Sequence, residues 1–473
     1  MDDSLPPSLF IPNFNGMTGD KRLDVRAGAL WNQLSKTPSS NISALSEDRP
    51  EQIAYYRLLE NDKFSEDALI QELVSRVIPL VTGRELLCLE DSSEINVSKN
   101  KNRLQANTGL GRSDNAENST CFKIHPGLVI DANSLCPLGF SAIKVFERPI
   151  GQPDRKARNY KTQPIAEKES YKWIEVTNDS KKVLGSASLV TFVQDREGDI
   201  FEQFALVPDA RHHLLIRSRT TRKLTDGKDL YTEVGLFPVA GYYDIDVPAD
   251  KRKNRVKHVA HMEIRYGSFQ VQRPQSLSGK NYPQYITIRC VSAREVTPGV
   301  ENPVHWKLLT THEITCFEDA VRMVAWYKCR WFIEQVFRLL KHRGFGIEDT
   351  LLETGWAIRK LVLMQLSALL KIMQMNIAYN DPEGGQPIED VFTPQETEVL
   401  IHLNRKLQGK TAKSQNNNNP KKTKWATWII GRLGKWKGYD SQGPPGIICL
   451  KNGLERFTNI MEGVRLAKDM YTG

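Results

Sequence analysis

Residues 85–91 read ELLCLED, an apolar run that ends on two acids. The same design returns at SASLVTFVQD (186–195), again an apolar stretch closed by an acid. Short apolar runs bounded in this way read as strands. FKIHPGLVID (122–131), GFSAIKVFE (139–147) and RHHLLIRSR (211–219) read as further strands. KESYKWIEVTND (168–179) can form a crossover helix, and another helix begins in EGDIFEQFAL. Strands mixed with helices, with acids at strand ends, describe a mixed α/β domain.

Upstream, residues 19–75 are helical. GDKRLDVRAGALWNQL opens with Asp20 as N-cap, and Leu23, Ala27, Leu30 and Leu34 recur at helical spacing. Arg22 and Arg26, four apart, share a face suited to phosphates. EQIAYYRLLEN and SEDALIQELVSRVIPLV supply two more helices. Downstream, GYYDIDV, VKHVAHMEIRYG, SFQVQRP and QYITIRCVSAREV alternate with period two, so about 220–320 forms a mostly antiparallel sheet inserted into the α/β domain. An apolar helix follows over 355–376, and QNNNNPKKTK reads as a flexible basic linker. WATWIIGRLGKWKGYD and LERFTNIMEGVRLAKDMY complete a helical C-terminal part. The expected organisation is a helical domain over 1–75, the α/β domain with its insertion over 76–376, and linker plus helices over 377–473.

Length, charge and cysteines narrow the function. A chain of 473 residues holds two to four domains, and 40% hydrophobic residues suit a protein with a real core. The net charge of +9 favours a polyanionic partner. The basic residues cluster in KRKNRVKH (251–258) and RKLQGKTAKSQNNNNPKKTK (405–424). Seven scattered cysteines without a C-x-x-C point to free thiols in a reducing compartment. Cys121 and His125 lack the second ligand pair of a zinc site. MDDSLPPSLF has no basic region before an apolar stretch, so no signal peptide is expected. LVLMQLSALLKIM (361–373) is interrupted by Gln365 and Lys371 and is too short to span a bilayer, so the expectation is a cytoplasmic protein with no membrane partner.

YKCRWFIEQVFRLLK (327–341) gathers polar groups on one helical face. At about 100° per residue, Tyr327, Arg330, Glu334 and Lys341 fall within roughly 60° of one another. Cys329, Phe332, Ile333, Val336, Leu339 and Leu340 take the opposite side. A solvated face is the ordinary explanation of such a strip. The alternative involves the acids: Asp91 and Asp195 each end an apolar strand, and Glu334 sits on this helix. In an RNase H-like fold, adjacent strands place two such aspartates side by side and a later helix brings a glutamate. Three converging carboxylates repel, and a hard divalent cation relieves that.

Tyr327-x2-Arg330-x3-Glu334-x6-Lys341 is identical in spacing to the Y-R-E-K motif of the DDE transposases of the insertion-sequence-four group. LLCLEDSS resembles that family's first-aspartate strand and VQDREGDI its second; LLIRSR follows at the family distance. GD-x-R-x3-R near the N-terminus, AYYRLLEN, HWKLLTT and the RLGKWKG and GLERF segments also have counterparts, so the resemblance runs from about 19 to 471. It implies an α/β fold with an RNase H-like catalytic core, a mixed sheet flanked by helices, an inserted antiparallel β subdomain, and helical N-terminal and C-terminal domains. It implies catalytic Asp91, Asp195 and Glu334 holding two Mg²⁺ ions, with Mn²⁺ as substitute. Tyr327, Arg330 and Lys341 would hold the DNA backbone, with Arg217 nearby. Trp306 would stack with a flipped base, and Arg22 and Arg26 would bind transposon ends. Asp131 and Glu90 become decoys, and Asp199 and Glu197 support the site.

The function so implied is a transposase that binds inverted-repeat ends and cleaves both strands through a hairpin. It then joins the 3′-OH ends to target DNA. Its partners are double-stranded DNA and a second copy of the chain in a paired-end homodimer. Leu454, Phe457, Ile460, Met461 and Val464, at helical spacing, are candidates for either the dimer contact or packing within one chain. A catalytically silent DNA-binding protein and a plain metal-dependent nuclease are the rival readings.

Overall fold

The computed structural model of the protein describes residues 12–113, 119–149, 163–247, 249, 255–341, 344–439 and 442–472. The MDDSLPPSLF start and residues 251–254 of the first basic cluster lie outside the described residues. In chain order the helices are α1 (Lys21–Lys36), α2 (Arg49–Glu60), α3 (Glu66–Ser75), α4 (Tyr171–Val183), α5 (Phe201–Leu206), α6 (Leu230–Leu236), α7 (Phe317–Cys329), α8 (Trp331–Leu340), α9 (Gly355–Asn380), α10 (Pro394–Leu407), α11 (Thr423–Leu433) and α12 (Ile447–Thr472). The strands are β1 (Glu85–Glu90), β2 (Ser93–Asn96), β3 (Gly111–Arg112), β4 (Thr120–Asp131), β5 (Pro137–Phe146), β6 (Leu189–Gln194), β7 (His212–Arg217), β8 (Gly241–Val247), β9 (His258–Gln272), β10 (Tyr285–Glu295) and β11 (His305–Thr310).

These elements form two compact units, one of residues 83–91 and 153–331, the other of 1–82, 92–152 and 332–473. In the first, β1, β6 and β7 run parallel, with Leu89 opposite Val193 and Val193 opposite Leu215. α5 is the crossover that parallel neighbours β6 and β7 require. β11 then pairs antiparallel with β7, and β10, β9 and β8 follow antiparallel in turn. The alternation predicted over this stretch holds: Ala260, Met262, Ile264, Phe269 and Val271 of β9 are buried while Val259, His261, Ser268 and Gln270 are exposed. The antiparallel strands extend the parallel ones through β11, so the unit has one continuous mixed sheet. α6 packs on β9 and β10, and α7 on β6, β7, β9 and β10. Gly267 is needed for the close approach of α6's end, since a Cβ there would meet the Phe237 ring at 2.7 Å.

The second unit is organised around α9. Thr354 caps it by accepting from the Ala357 N–H, and α1, α2, α3, α11, α12 and β5 all pack on it. Shared use of one core helix is why the N-terminal and C-terminal segments fall in one unit, and why the division differs from the expected boundaries after 75 and 376. α9 also runs to 26 residues, longer than the apolar run suggested. It is long and apolar enough to cross a membrane by composition, but 89% of its most apolar window is buried inside the protein, so it reads as a core helix. Burial on this scale contributes roughly 1.5–3 kcal/mol for each large apolar side chain. In α1, Asp20 accepts from the Arg22 N–H and Leu23, Ala27, Leu30 and Leu34 are buried, as their spacing predicts. β4 pairs antiparallel with β2, β3 and β5.

Two expectations are corrected, and of the two alternatives left open for α12 the structure favours packing within the chain. The single helix over 327–341 is interrupted: α7 ends at Cys329, and α8 restarts at Trp331. At the junction Arg330 N bonds to Tyr327 O three residues back at 3.1 Å, a tighter turn than the α-helical ladder. The supposed linker at 415–424 is pinned, because its amides and lysines find backbone partners. Asn416 Nδ2 donates to Trp425 O at 3.1 Å, Lys422 forms a bridge with Pro387, and Lys424 N bonds to Gly384 O. The apolar seam of α12 is occupied inside the chain, with Leu454, Phe457 and Met461 buried in contact with their own unit.

Candidate active site

The parallel register of β1 and β6 decides the centre of the site. Leu89 lies opposite Val193, so Asp91 and Asp195 emerge side by side, each one residue past its strand. Asp195 caps a short turn by accepting from Glu197 N at 2.7 Å. Burial raises its carboxyl above the usual range, and the Glu197 charge adds to this. The Glu197 N–H and the Arg330 and Lys172 charges pull the other way. Arg330 closes α7 and its Nη1 sits 2.7 Å from Asp91 Oδ2. The guanidinium expected to grip DNA thus also neutralises the first aspartate.

Around this pair the same unit assembles four of the other expected residues. Tyr327 is buried, which raises its phenol, while the Arg330 and Arg217 charges lower it. Arg217 is the last residue of β7, opposite Leu308 of β11. Trp306, near the start of β11, packs edge-on against Tyr327 with ring centroids 5.9 Å apart. It is half-buried, neither a core residue nor a free one. Asp91, Asp195, Arg217, Trp306, Tyr327 and Arg330 therefore share the C-terminal edge of the parallel strands.

The remaining residues belong to the other unit. Glu334 is half-buried on α8, and Lys341, just past that helix, pairs with Glu348 at 3.7 Å. Arg22 is highly exposed and paired with its own N-cap, Asp20. With Lys21, Arg26, Glu51 and Tyr55 it lines an open groove along α1 and α2. Asp131 is a turn former, its Oδ1 accepting from Asn133 N and Ser134 N at 3.0 and 2.9 Å.

Several participants escaped sequence reasoning. Lys172, almost fully buried on α4, reaches Glu197 at 3.4 Å and adds positive charge beside Asp195. A lysine in an ordinary amphipathic helix carries no signal of this. Asp199, its side chain wholly buried, holds Arg222 and accepts from Arg219 N at 2.7 Å. Glu90 is not an idle decoy. Its carboxyl is fully buried, with Thr177 Oγ1 3.0 Å and Gln194 Nε2 2.7 Å away.

Burial pushes the Glu90 carboxyl up to about 8, against hydrogen bonds from Thr177 and Gln194 that lower it. The folded protein then keeps a proton that the unfolded chain, with its ordinary value of 4.5, has released. Stability from this group is fully present below the unfolded value and is lost as pH rises through the folded one, at about 1.4 kcal/mol per pH unit in between. Glu90→Gln should abolish that slope. Melting curves of mutant and wild type should differ least near about pH 4 and separate progressively up to about pH 9, with the mutant more stable. Parallel curves across the range would show that the acid is ionised in the fold.

Asp91 and Asp195 supply hard oxygen donors of the kind a magnesium-like cation takes. Among the described residues, no group of three or more His, Cys, Asp or Glu side chains is arranged to hold a metal ion. The donor chemistry of the two aspartates fits a divalent cation, and a complete ligand set needs more than those two.

Residues 246–371 match the transposase DDE domain family. The match supports a DDE transposase as the class of enzyme, and such domains generally use divalent metal ions. Among solved structures the chain is similar to a piggyBac transposase in its synaptic complex with hairpin DNA, at a TM-score of 0.36 and 9% identity, over 82% of this chain and 70% of that one. The matched segment contains Trp306, Tyr327, Arg330, Glu334 and Lys341, while Asp91 and Asp195 precede it.

Proposed function

We propose that the protein is a cut-and-paste transposase of the insertion-sequence-four group, acting on inverted-repeat DNA ends in the cytoplasm. The observation that carries this reading is the pairing of Asp91 and Asp195 at neighbouring strand ends, with Arg330 on one and Arg217, Tyr327 and Trp306 beside them. Asp91, Asp195 and Glu334 would hold two Mg²⁺ or Mn²⁺ ions, and such ions would supply activation of a water and charge stabilisation at the leaving oxygen. Arg330 can offer a phosphate the planar fork that it now turns on Asp91. Arg217 and Lys341 add positive charge along the backbone, and Tyr327 supports Trp306 from its edge. Trp306 offers an aromatic face on which any flipped base could stack as the strand bends into a hairpin. Arg22 and Arg26, on the exposed side of α1, fit contact with the end sequences.

A paired-end homodimer follows from the need to release both ends together. Its contact must lie outside the Leu454, Phe457 and Met461 seam, which is already buried within the chain. Deleting residues 445–473 would therefore unfold α12's packing instead of removing only the dimer.

The function is tested with a duplex carrying the DNA that flanks the gene on either side, which the proposal expects to contain inverted repeats. Retardation should weaken steeply with salt, as counterions are released from the phosphates. Nicking should depend on Mg²⁺ or Mn²⁺ and yield hairpin-ended product on denaturing gels. Binding without nicking in either metal would favour the silent DNA-binding protein. Nicking at random positions, without hairpins, would favour the plain nuclease.

A further inference from the structure

Asp91 and Asp195 both lie just beyond the last residues of their strands, where the backbone ladder between β1 and β6 has ended. Two carboxylates held side by side repel, so their separation must be imposed by something else. The last pair before them is Glu90 and Gln194. We propose that these two are positioning residues, a buried cross-strand clamp that fixes the spacing of Asp91 and Asp195 for a divalent cation. The proposal rests on reading those aspartates as metal ligands.

The geometry supports it from both strands. Side chains alternate along a strand, so Glu90 and Gln194 point away from the face that carries the aspartates. Gln194 Nε2 donates to Glu90 Oε2 at 2.7 Å, joining the two strand ends directly. Thr177 Oγ1, on α4, lies 3.0 and 3.2 Å from the two carboxyl oxygens and holds the acid from behind. Gln203 Nε2, on α5, donates to Gln194 Oε1 at 2.8 Å and fixes the amide's orientation. All four side chains are fully buried. Burying so many polar groups is costly unless every bond has a direction to enforce, which an apolar pair in the same place would lack.

The turn that carries Asp195 gives an independent sign. Residues 195–198 fold back over Gln194, and a Cβ on Gly198 would fall 2.2 Å from Gln194 Oε1 and 3.0 Å from its Cβ. Only a glycine lets the turn rest on that locked side chain. The clamp thus sets the lateral spacing of the aspartates through Glu90, and the seat of Asp195 through Gln194.

The test is Mn²⁺ binding to the full chain without DNA, read by calorimetry, with melting curves to establish folding. Glu90→Met and Gln194→Met keep the volume but remove the bonds, and each should weaken Mn²⁺ binding by about ten-fold or more. Gly198→Ala should do the same from the side of the turn. Glu90→Gln should restore binding to within about two-fold of wild type, because an amide can make the same contacts. Asp91→Asn and Asp195→Asn serve as references. If neither reference changes Mn²⁺ binding, the metal-site reading fails, whatever the clamp does. If both references lose binding while folded Glu90→Met, Gln194→Met and Gly198→Ala remain within two-fold of wild type, the clamp is wrong and the site stands. Should Glu90→Met not fold, the Gln194 and Gly198 variants decide the matter alone.

Discussion

Asp195→Asn is expected to lower metal-dependent strand cleavage by at least about a thousand-fold while leaving DNA binding within about three-fold of wild type. The size follows from two figures: metal-assisted charge stabilisation is worth several kcal/mol, and about 1.4 kcal/mol is a factor of ten in rate. Selectivity for catalysis follows from the local structure. Asp195 Oδ1 accepts from Glu197 N at 2.7 Å, and an asparagine carbonyl can accept the same bond, so the turn survives. The groups proposed to hold phosphates, Arg217 and Arg330, are left in place. Single-turnover nicking in Mg²⁺ and gel retardation of the same duplex give the two readouts. A mutant that nicks at more than a tenth of the wild-type rate would remove Asp195 from the chemistry.

Asp195 and Asp91 were legible in the sequence because a strand that ends in an acid has a readable form: the apolar run fixes the strand and the polar residue marks its end. That the two strands are parallel neighbours in register is a tertiary fact, since the chain runs through β2 to β5 and α4 before β6 returns to pair with β1. Glu90 shows the limit more sharply. Adjacent acids at a strand end look equivalent in one dimension, yet alternation sends one to each face. The family motif favours Asp91, but it says nothing about the work done by the acid turned inward.

The interruption at Arg330 was invisible for a related reason. Apolar spacing at about 100° per residue is unchanged by a single three-residue turn, so one periodic pattern covers two helices. The pinned segment after Gln415 was missed because asparagine-rich composition looks like a linker. Whether amides such as that of Asn416 find buried partners depends on distant chain, here Trp425 and Asn404. In α12, periodicity showed an apolar stripe but not its occupant, and the contacts with α9 and α11 supply it.

Glu334→Gln is expected to match Asp195→Asn in its loss of cleavage, about a thousand-fold or more, with DNA binding retained. Glu334 follows Arg330 by four residues, the motif spacing whose resemblance implies a third metal ligand. Glutamine has nearly the same length and helix propensity, so α8 should persist and only a charged oxygen donor is lost. Arg338→Ala, at an exposed position on the same helix, is the control for general damage and should cleave within a few-fold of wild type. Mn²⁺ titration separates the possible roles. A metal ligand should lose ion binding together with cleavage, whereas a group that only positions DNA should lose cleavage and keep the ion. If Glu334→Gln cleaves like wild type while Asp195→Asn is inactive, the third donor is a different residue, and the motif spacing has marked only a solvated face.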